Sequence, residues 1–168
     1  NIARDIFQES SIDYLVRGEA ENSMVQLLKL ISDGELNKAS SIQGVYFRDS
    51  ISNEETLKIS EYPDLDKLPT PCWHIFDMSH YARTENKSEN FVERGMKKSC
   101  SIMTSRGCPF HCTFCSSFSL HGRKMRYFPV DWTKKVTTQL YEKHGVSEFI
   151  IQDDLFTVNR QRTVEMLT

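Results

Sequence analysis

Three of the chain's five cysteines fall within eight residues, in Cys108-Pro109-Phe110-His111-Cys112-Thr113-Phe114-Cys115. Nothing else in the sequence limits the fold as much, because three thiols on one loop need a scaffold that fixes both ends of that loop. Five is an odd count, and 168 residues with 26% charge are too long and too charged for a small disulfide scaffold. Such clustering reads as metal binding in a reducing compartment. Thiolates are soft ligands that select zinc, copper(I) or iron–sulfur clusters. A structural zinc site wants four protein ligands, usually as two separated pairs. No second pair is present, since Cys72 and Cys100 stand alone. His111 sits inside the loop, but Phe110 and Cys112 on either side leave it little freedom to reach back to the same metal. A cubane cluster fits better, with three irons taking the three thiolates and one iron left open. The plain alternative is chance clustering.

The flanks suit a ligand-holding loop. Gly107 permits a turn with close backbone approach, and Pro109 fixes the chain at the start of the loop. Ser99–Thr104 (SCSIMT) reads as a strand, so the loop follows at its C-terminal end, where parallel α/β barrels place their active sites. Val130–His144 predicts a helix with Trp132, Val136, Leu140 and Tyr141 on one face and Gly145 as its stop. Phe149-Ile150-Ile151 reads as a second buried strand ending at Gln152-Asp153-Asp154, and Arg160–Thr168 as the start of another helix. Strand, loop, helix, strand, helix is a parallel β/α unit with a right-handed crossover. Both strand ends then face one side, and alternation lets only one of Asp153 and Asp154 face the interior. Asp153 is favoured, because Ile151 shares its face.

Upstream, Asn1–Ser10 reads as the end of a helix, Ile12–Val16 as a short buried strand, and Ala20–Ile31 as a helix. Met24, Leu27, Leu28 and Ile31 form its apolar stripe and are expected in the core; Asp33-Gly34 marks its end. Gly44–Arg48 and Thr56–Ile59 read as a hairpin around a polar loop, Asp49–Glu55. Prolines at 63, 69 and 71 forbid regular helix or central strand over Glu61–Pro71, which is expected to be an extended linker. Tyr81–Arg94 is polar and reads as loop. Trp73 and Trp132 are expected to be packing residues, and none of the five histidines is expected to be a ligand. The sequence begins at Asn1 rather than Met and ends just after a strand-like run, as expected of a piece of a longer protein.

Ser105–Ser116 (SRGCPFHCTFCS) resembles the signature loop of the radical S-adenosylmethionine (radical SAM) superfamily. The spacing of that family's three cluster cysteines is met, with an aromatic residue directly before the third. Tyr14–Ser23 (YLVRGEAENS), Asp64–Pro71 (DLDKLPTP) and Phe149–Asn159 (FIIQDDLFTVN) resemble, in order, the subgroup with an N-terminal cobalamin-binding domain. The resemblance covers most of the chain. It implies an α/β fold: residues 1–43 as the end of a Rossmann-like cobalamin-binding domain, 44–98 as hairpin and proline-containing linker, and 99–168 as the first β/α units of a radical SAM (β/α) barrel.

It further implies a [4Fe–4S] cluster on Cys108, Cys112 and Cys115, with the open iron chelated by the amino and carboxylate groups of S-adenosylmethionine. One electron then cleaves the sulfonium to methionine and a 5′-deoxyadenosyl radical, chemistry that belongs to the cofactors. Phe114 would lie beside the adenine. The wider superfamily binds the methionine amine with a Gly-Gly-Glu stretch; here Gln152-Asp153-Asp154 stands in its place, with a reach one methylene shorter. Gly18 and Glu19 resemble the cobalamin-domain edge that faces the corrin's nucleotide tail, and cobalamin is the third implied cofactor. The family's cobalt-ligating histidine would fall upstream of Asn1. The implied reaction is methyl transfer to an unactivated carbon or phosphorus, or another radical rearrangement. The implied partners are a small-molecule substrate and an electron donor such as flavodoxin or ferredoxin. A methylthiotransferase-like enzyme acting on tRNA shares the loop, but it carries further cluster cysteines that Cys72 and Cys100 do not supply. A non-catalytic zinc- or cluster-binding module is the rival from another class. Plain packing for Gly18 and Glu19, and a solvated strand end for Asp153 and Asp154, are the structural alternatives.

Charge narrows the partners. A net charge of −2 argues against nucleic acid or membrane binding by the whole chain. No apolar run approaches the ~18 residues of a membrane span; Met24–Ile31 is short and interrupted by Lys29. No charged n-region followed by an apolar h-region opens the sequence, and a cytoplasmic setting is expected. Arg94–Arg126 holds Arg94, Lys97, Lys98, Arg106, Arg123, Lys124 and Arg126 with no Asp or Glu. That excess suits a net-negative cluster or an anionic substrate, and equally RNA or a solvated flank. Arg106 is expected to make a salt bridge across the loop.

Overall fold

In the computed structural model, residues 2–48, 57–78 and 98–168 are described. The loop readings over Asp49–Glu55 and Tyr81–Arg94, together with Thr56, Arg94 and Lys97, lie outside them. The chain divides into two compact units, Asn1–Asp64 with Phe110–Arg123, and Leu65–Pro109 with Lys124–Thr168.

The first unit contains α1 (Ile2–Glu9), β1 (Tyr14–Val16), α2 (Glu21–Ser32), a 3-10 turn (Leu36–Ser41) and β2 (Val45–Phe47). β1 pairs antiparallel with β2, Leu15 opposite Tyr46 and Val16 opposite Val45. Period-two alternation sends these pairs to opposite faces. Leu15 and Tyr46 pack with Phe7 and Leu57, while Val16 and Val45 pack with Leu27, Ala39 and Ile42. Arg48 ties off the end of α1, its guanidinium donating to the carbonyls of Phe7 and of Ser10, the latter at 2.8 Å. β1 is half-buried rather than buried.

Among the described residues the expected hairpin is absent: β2 takes β1 as its partner, and Leu57–Ser60 lies outside any strand. The reason lies at two glycines. Ser60 N–H donates to the Arg17 carbonyl at 2.8 Å, and Arg17 N–H donates to the Gly44 carbonyl at 2.9 Å. A Cβ on Gly44 would stand 2.4 Å from Ser60 N, and one on Gly18 would stand 2.4 Å from Ile59 Cγ2. Both glycines have positive φ, +84° and +99°, so residues 57–60 lie where only glycine leaves room. The α2 stripe is also corrected. Leu27 is 2% exposed, but Leu28 is 56% exposed, and Met24 and Ile31 are exposed too. Leu27 and, half-buried, Leu30 are the α2 residues that pack with Val45 and Val16.

The second unit holds β3 (Ser99–Ile102), β4 (Ser105–Arg106), β5 (Arg126–Tyr127), α4 (Val130–His144), β6 (Glu148–Ile151) and α5 (Arg160–Leu167). β3 and β6 are parallel, Ser99 beside Glu148 through Ile102 beside Ile151. Val136 and Leu140 of α4 pack with Cys100, Ile102, Met78 and Val146, and Trp73 and Trp132 pad that core as expected. Trp132 stacks on Phe128 at 4.1 Å and donates to the Leu68 carbonyl. Thr133, not Tyr141, completes the buried face, and Tyr141 is 63% exposed. Gly145 (φ +68°) ends α4, and Val146 N–H returns to the Leu140 carbonyl at 3.1 Å. The expected strand Ser99–Thr104 stops at Ile102, and the chain then forms β4, paired antiparallel with β5, which carried no sequence signal. Residues 61–72 contain no strand, and the Leu65–Lys67 turn buries Leu65.

Leu140 is fully buried, so Leu140→Ala should lower unfolding free energy by about 2–5 kcal/mol. Val25→Ala on the exposed side of α2 should stay within about 0.5 kcal/mol of the parent; urea unfolding of both variants checks the contrast.

Candidate metal centre

The entry to the cysteine loop is fixed polar atom by polar atom. Thr104 is fully buried and Ser105 nearly so. Asp153, just past β6, accepts from Thr104 N–H at 2.5 Å, from Thr104 Oγ1 at 2.5 Å and from Ser105 Oγ at 2.7 Å. The parallel register places it there, since Gln152 N–H already donates to the Ile102 carbonyl as the ladder runs out. Arg162, on α5, donates through Nη2 to the carbonyls of Thr104 (2.7 Å) and Phe128 (3.3 Å) and lies over the Tyr127 ring. Burial pushes the Arg162 guanidinium below its usual pKa, against the opposing pull of Asp153, Tyr127 and Glu165. Arg162 Nε and Nη1 are buried without hydrogen-bond partners among the described residues. After β4, Gly107 takes φ +93° and leads into half-buried Cys108. Arg106 lies over the Phe128 ring, 5.4 Å from its centroid.

Cys112, Cys115 and Phe114 belong to the first unit. Cys115 N–H donates to the Cys112 carbonyl in a tight turn at 3.2 Å, and Phe114 is 91% exposed. A one-turn helix, α3 (Phe118–His121), follows. Arg123 closes this segment on itself, donating to the Phe110 carbonyl at 2.6 Å and covering the Phe118 ring at 4.2 Å. His121 Nδ1 lies 2.8 Å from Glu19 Oε1; the Glu19 side chain is 2% exposed and that of His121 15%. The Glu19 carbonyl accepts from Ser60 Oγ at 2.5 Å. Gly18 and Glu19 are thus built into the packing of the first unit.

The sequence reading named Cys108, Cys112, Cys115, Phe114, Gly18, Glu19, Asp153 and Asp154. Cys108, Asp153 and exposed Asp154 stand in the second unit and the others in the first. All three loop thiols are free and half-buried or exposed. Thiolates of this kind are the soft ligands that iron–sulfur clusters take. Among the described residues no group of three or more His, Cys, Asp or Glu converges on a single-ion position. Cys100 sits in the core of the second unit, where burial pushes its thiol pKa up. Sequence reading missed Thr104, Ser105, Arg162 and His121. His121 had one signal, as the sole ionisable group in the apolar turn Phe118-Ser119-Leu120-His121; Arg162 had none.

No protein-family model matches the chain. The chain is 30% identical over 157 residues to an uncharacterized methyltransferase of Pyrococcus horikoshii, covering 92% of this chain and 31% of that protein. It is 30% identical over 167 residues to the anaerobic magnesium-protoporphyrin IX monomethyl ester cyclase of Cereibacter sphaeroides, covering 96% and 25%. Its fold is similar to that of the radical S-adenosylmethionine methyltransferase TsrM of Kitasatospora setae, solved with cobalamin and a [4Fe-4S] cluster bound. The TM-score is 0.62 at 17% identity, over 98% of this chain and 31% of that one. The chain spans 25% to 31% of the length of these two curated relatives.

His121→Ala should lower stability by about 1–3 kcal/mol, because the buried Glu19 carboxylate loses this partner. His121→Asn, whose amide can still donate to Glu19, should recover part of the loss; urea unfolding at fixed pH reads both.

Proposed function

We propose that the chain carries the cluster loop of a cobalamin-dependent radical SAM enzyme, a reading supported by the resemblance of Ser105–Ser116 to that superfamily's signature loop, by relatives named as a methyltransferase and a cyclase, and by a fold similar to that of TsrM. The observation that supports this most is the position of Cys108. It follows a strand edge shared by two parallel strands, with both strand ends hydrogen-bonded to each other. We read residues 1–43 as the end of a Rossmann-like cobalamin-binding domain, 44–98 as a segment that packs β2 and Leu57 onto the first unit before a proline-containing linker, and 99–168 as the opening β/α units of the catalytic barrel.

In this reading Cys108, Cys112 and Cys115 hold a [4Fe–4S] cluster, which when bound supplies the electron that cleaves S-adenosylmethionine. The chain's own residues do the rest. Gly107 lets the backbone turn into the loop. Phe114 offers an exposed aromatic face to the adenine. The ammonium of the methionine moiety goes to a strand-end carboxylate. Asp153, whose two oxygens also accept three hydrogen bonds, and Asp154 both stand at that strand end. Gly18 is the residue that the resemblance puts beside the corrin's nucleotide tail, while Glu19 is held inward by His121. Methyl transfer to a small molecule, or a related radical rearrangement, accords with relatives named as a methyltransferase and a cyclase. A flavodoxin- or ferredoxin-like donor and the reducing cytoplasm complete the proposal. No helix among the described residues is long and apolar enough to cross a membrane.

Anaerobic reconstitution of the intact protein should give a broad visible charge-transfer band and bound iron. Replacing Cys108, Cys112 or Cys115 by Ala should each remove most of that iron, while Cys72→Ala and Cys100→Ala should retain it. Equal iron loss at Cys72 or Cys100, or a colourless protein holding zinc, would overturn the reading.

A further inference from the structure

We propose that Asp153 is a positioning residue that sets the path of the cysteine loop through Thr104 and Ser105, with Arg162 as its counterpart on the other side of Thr104. This rests on the reading of Cys108 as a cluster ligand and goes beyond it, since the resemblance offers Asp153 only as a contact for the incoming cofactor.

Every polar atom of Thr104 is engaged. Its N–H and its hydroxyl donate to the two different oxygens of Asp153. Its carbonyl accepts from Phe128 N–H at 3.0 Å and from Arg162 Nη2 at 2.7 Å. Ser105 Oγ adds a third donor to Asp153, while the backbone of Ser105 and Arg106 is held by Tyr127 and Arg126 across the β4–β5 pair. An ionised carboxylate has about four acceptor positions, so three are occupied by this corner of chain. Charge-assisted bonds of this length are the stronger kind, and Thr104 is sealed from water. Cys108 begins four residues on, through Gly107, which by itself would leave the chain free to swing. Groups one step behind a ligand commonly orient it in this way.

The two roles for Asp153 predict different results. Asp153→Asn keeps the shape but replaces one acceptor oxygen by a donor. In the metal-free protein, amide exchange over residues 103–108 should become about tenfold faster, the size expected from losing one charge-assisted hydrogen bond. In the reconstituted protein, the electron paramagnetic resonance spectrum of the reduced cluster should change before any S-adenosylmethionine is added. Ser105→Ala, which removes one donor and leaves the carboxylate in place, should show a smaller change of the same kind in both readouts. The inference is overturned if Asp153→Asn keeps parent exchange and the parent cofactor-free spectrum while S-adenosylmethionine binding weakens. It is equally overturned if Ser105→Ala matches the parent in both readouts. A parent protein that takes up no iron overturns the cluster reading instead, and the exchange data still decide the role of Asp153.

Discussion

A parallel pair of strands delivers both of its C-terminal ends to one edge, and in the second unit the chemistry-bearing residues hang from that edge. β3 leads through Thr104 and Ser105 into Cys108, and β6 leads into Asp153 and Asp154. The pairing holds because α4 lays Val136 and Leu140 on Cys100, Ile102 and Val146. Burying an aliphatic side chain of this size contributes about 1.5–3 kcal/mol, so this small core fixes the edge before any polar contact is counted. The polar contacts at the edge then decide direction rather than stability: they choose how the chain leaves the sheet.

Those contacts converge on Thr104, which is fully buried. Asp153 and Arg162 both engage Thr104, one at its N–H and hydroxyl, the other at its carbonyl. Burial alone works against the Arg162 charge, and the nearby carboxylate works for it. A polar group in such a place that loses its partner keeps the cost of its desolvation, which exceeds what the bond itself contributes. Such groups are expensive to keep unless geometry matters, and the geometry at stake here is the start of a ligand loop.

The first unit solves a different problem with the same economy of means. Residues 57–60 run against Gly18 and Gly44, where any Cβ would collide. Glu19, next to one of those glycines, then reaches His121, six residues past Cys115. A one-turn helix has too few internal hydrogen bonds to hold its own place. The Glu19 contact and the closure of Arg123 on Phe110 and Phe118 supply what α3 lacks.

The sequence by itself determined the cysteine spacing, the period of α4, its glycine stop, the second strand ending in Asp153-Asp154 and the irregular proline stretch. Each of these is a local property: thiol spacing, helical periodicity and missing backbone donors are written in neighbouring residues. Only the tertiary structure decided which strand β2 would pair with, because Val45–Phe47 has the same alternating character whether its partner is Tyr14–Val16 or residues 56–59. The same holds for the α2 stripe, whose periodicity marks a helix face without saying how much of it is covered. Asp153 is the sharpest case. Alternation picks out a face for it, but that Thr104 and Ser105 fill its oxygens follows from the register of β3 on β6 across about fifty residues of chain. No local pattern carries that distance, because loop closure and core packing set it together.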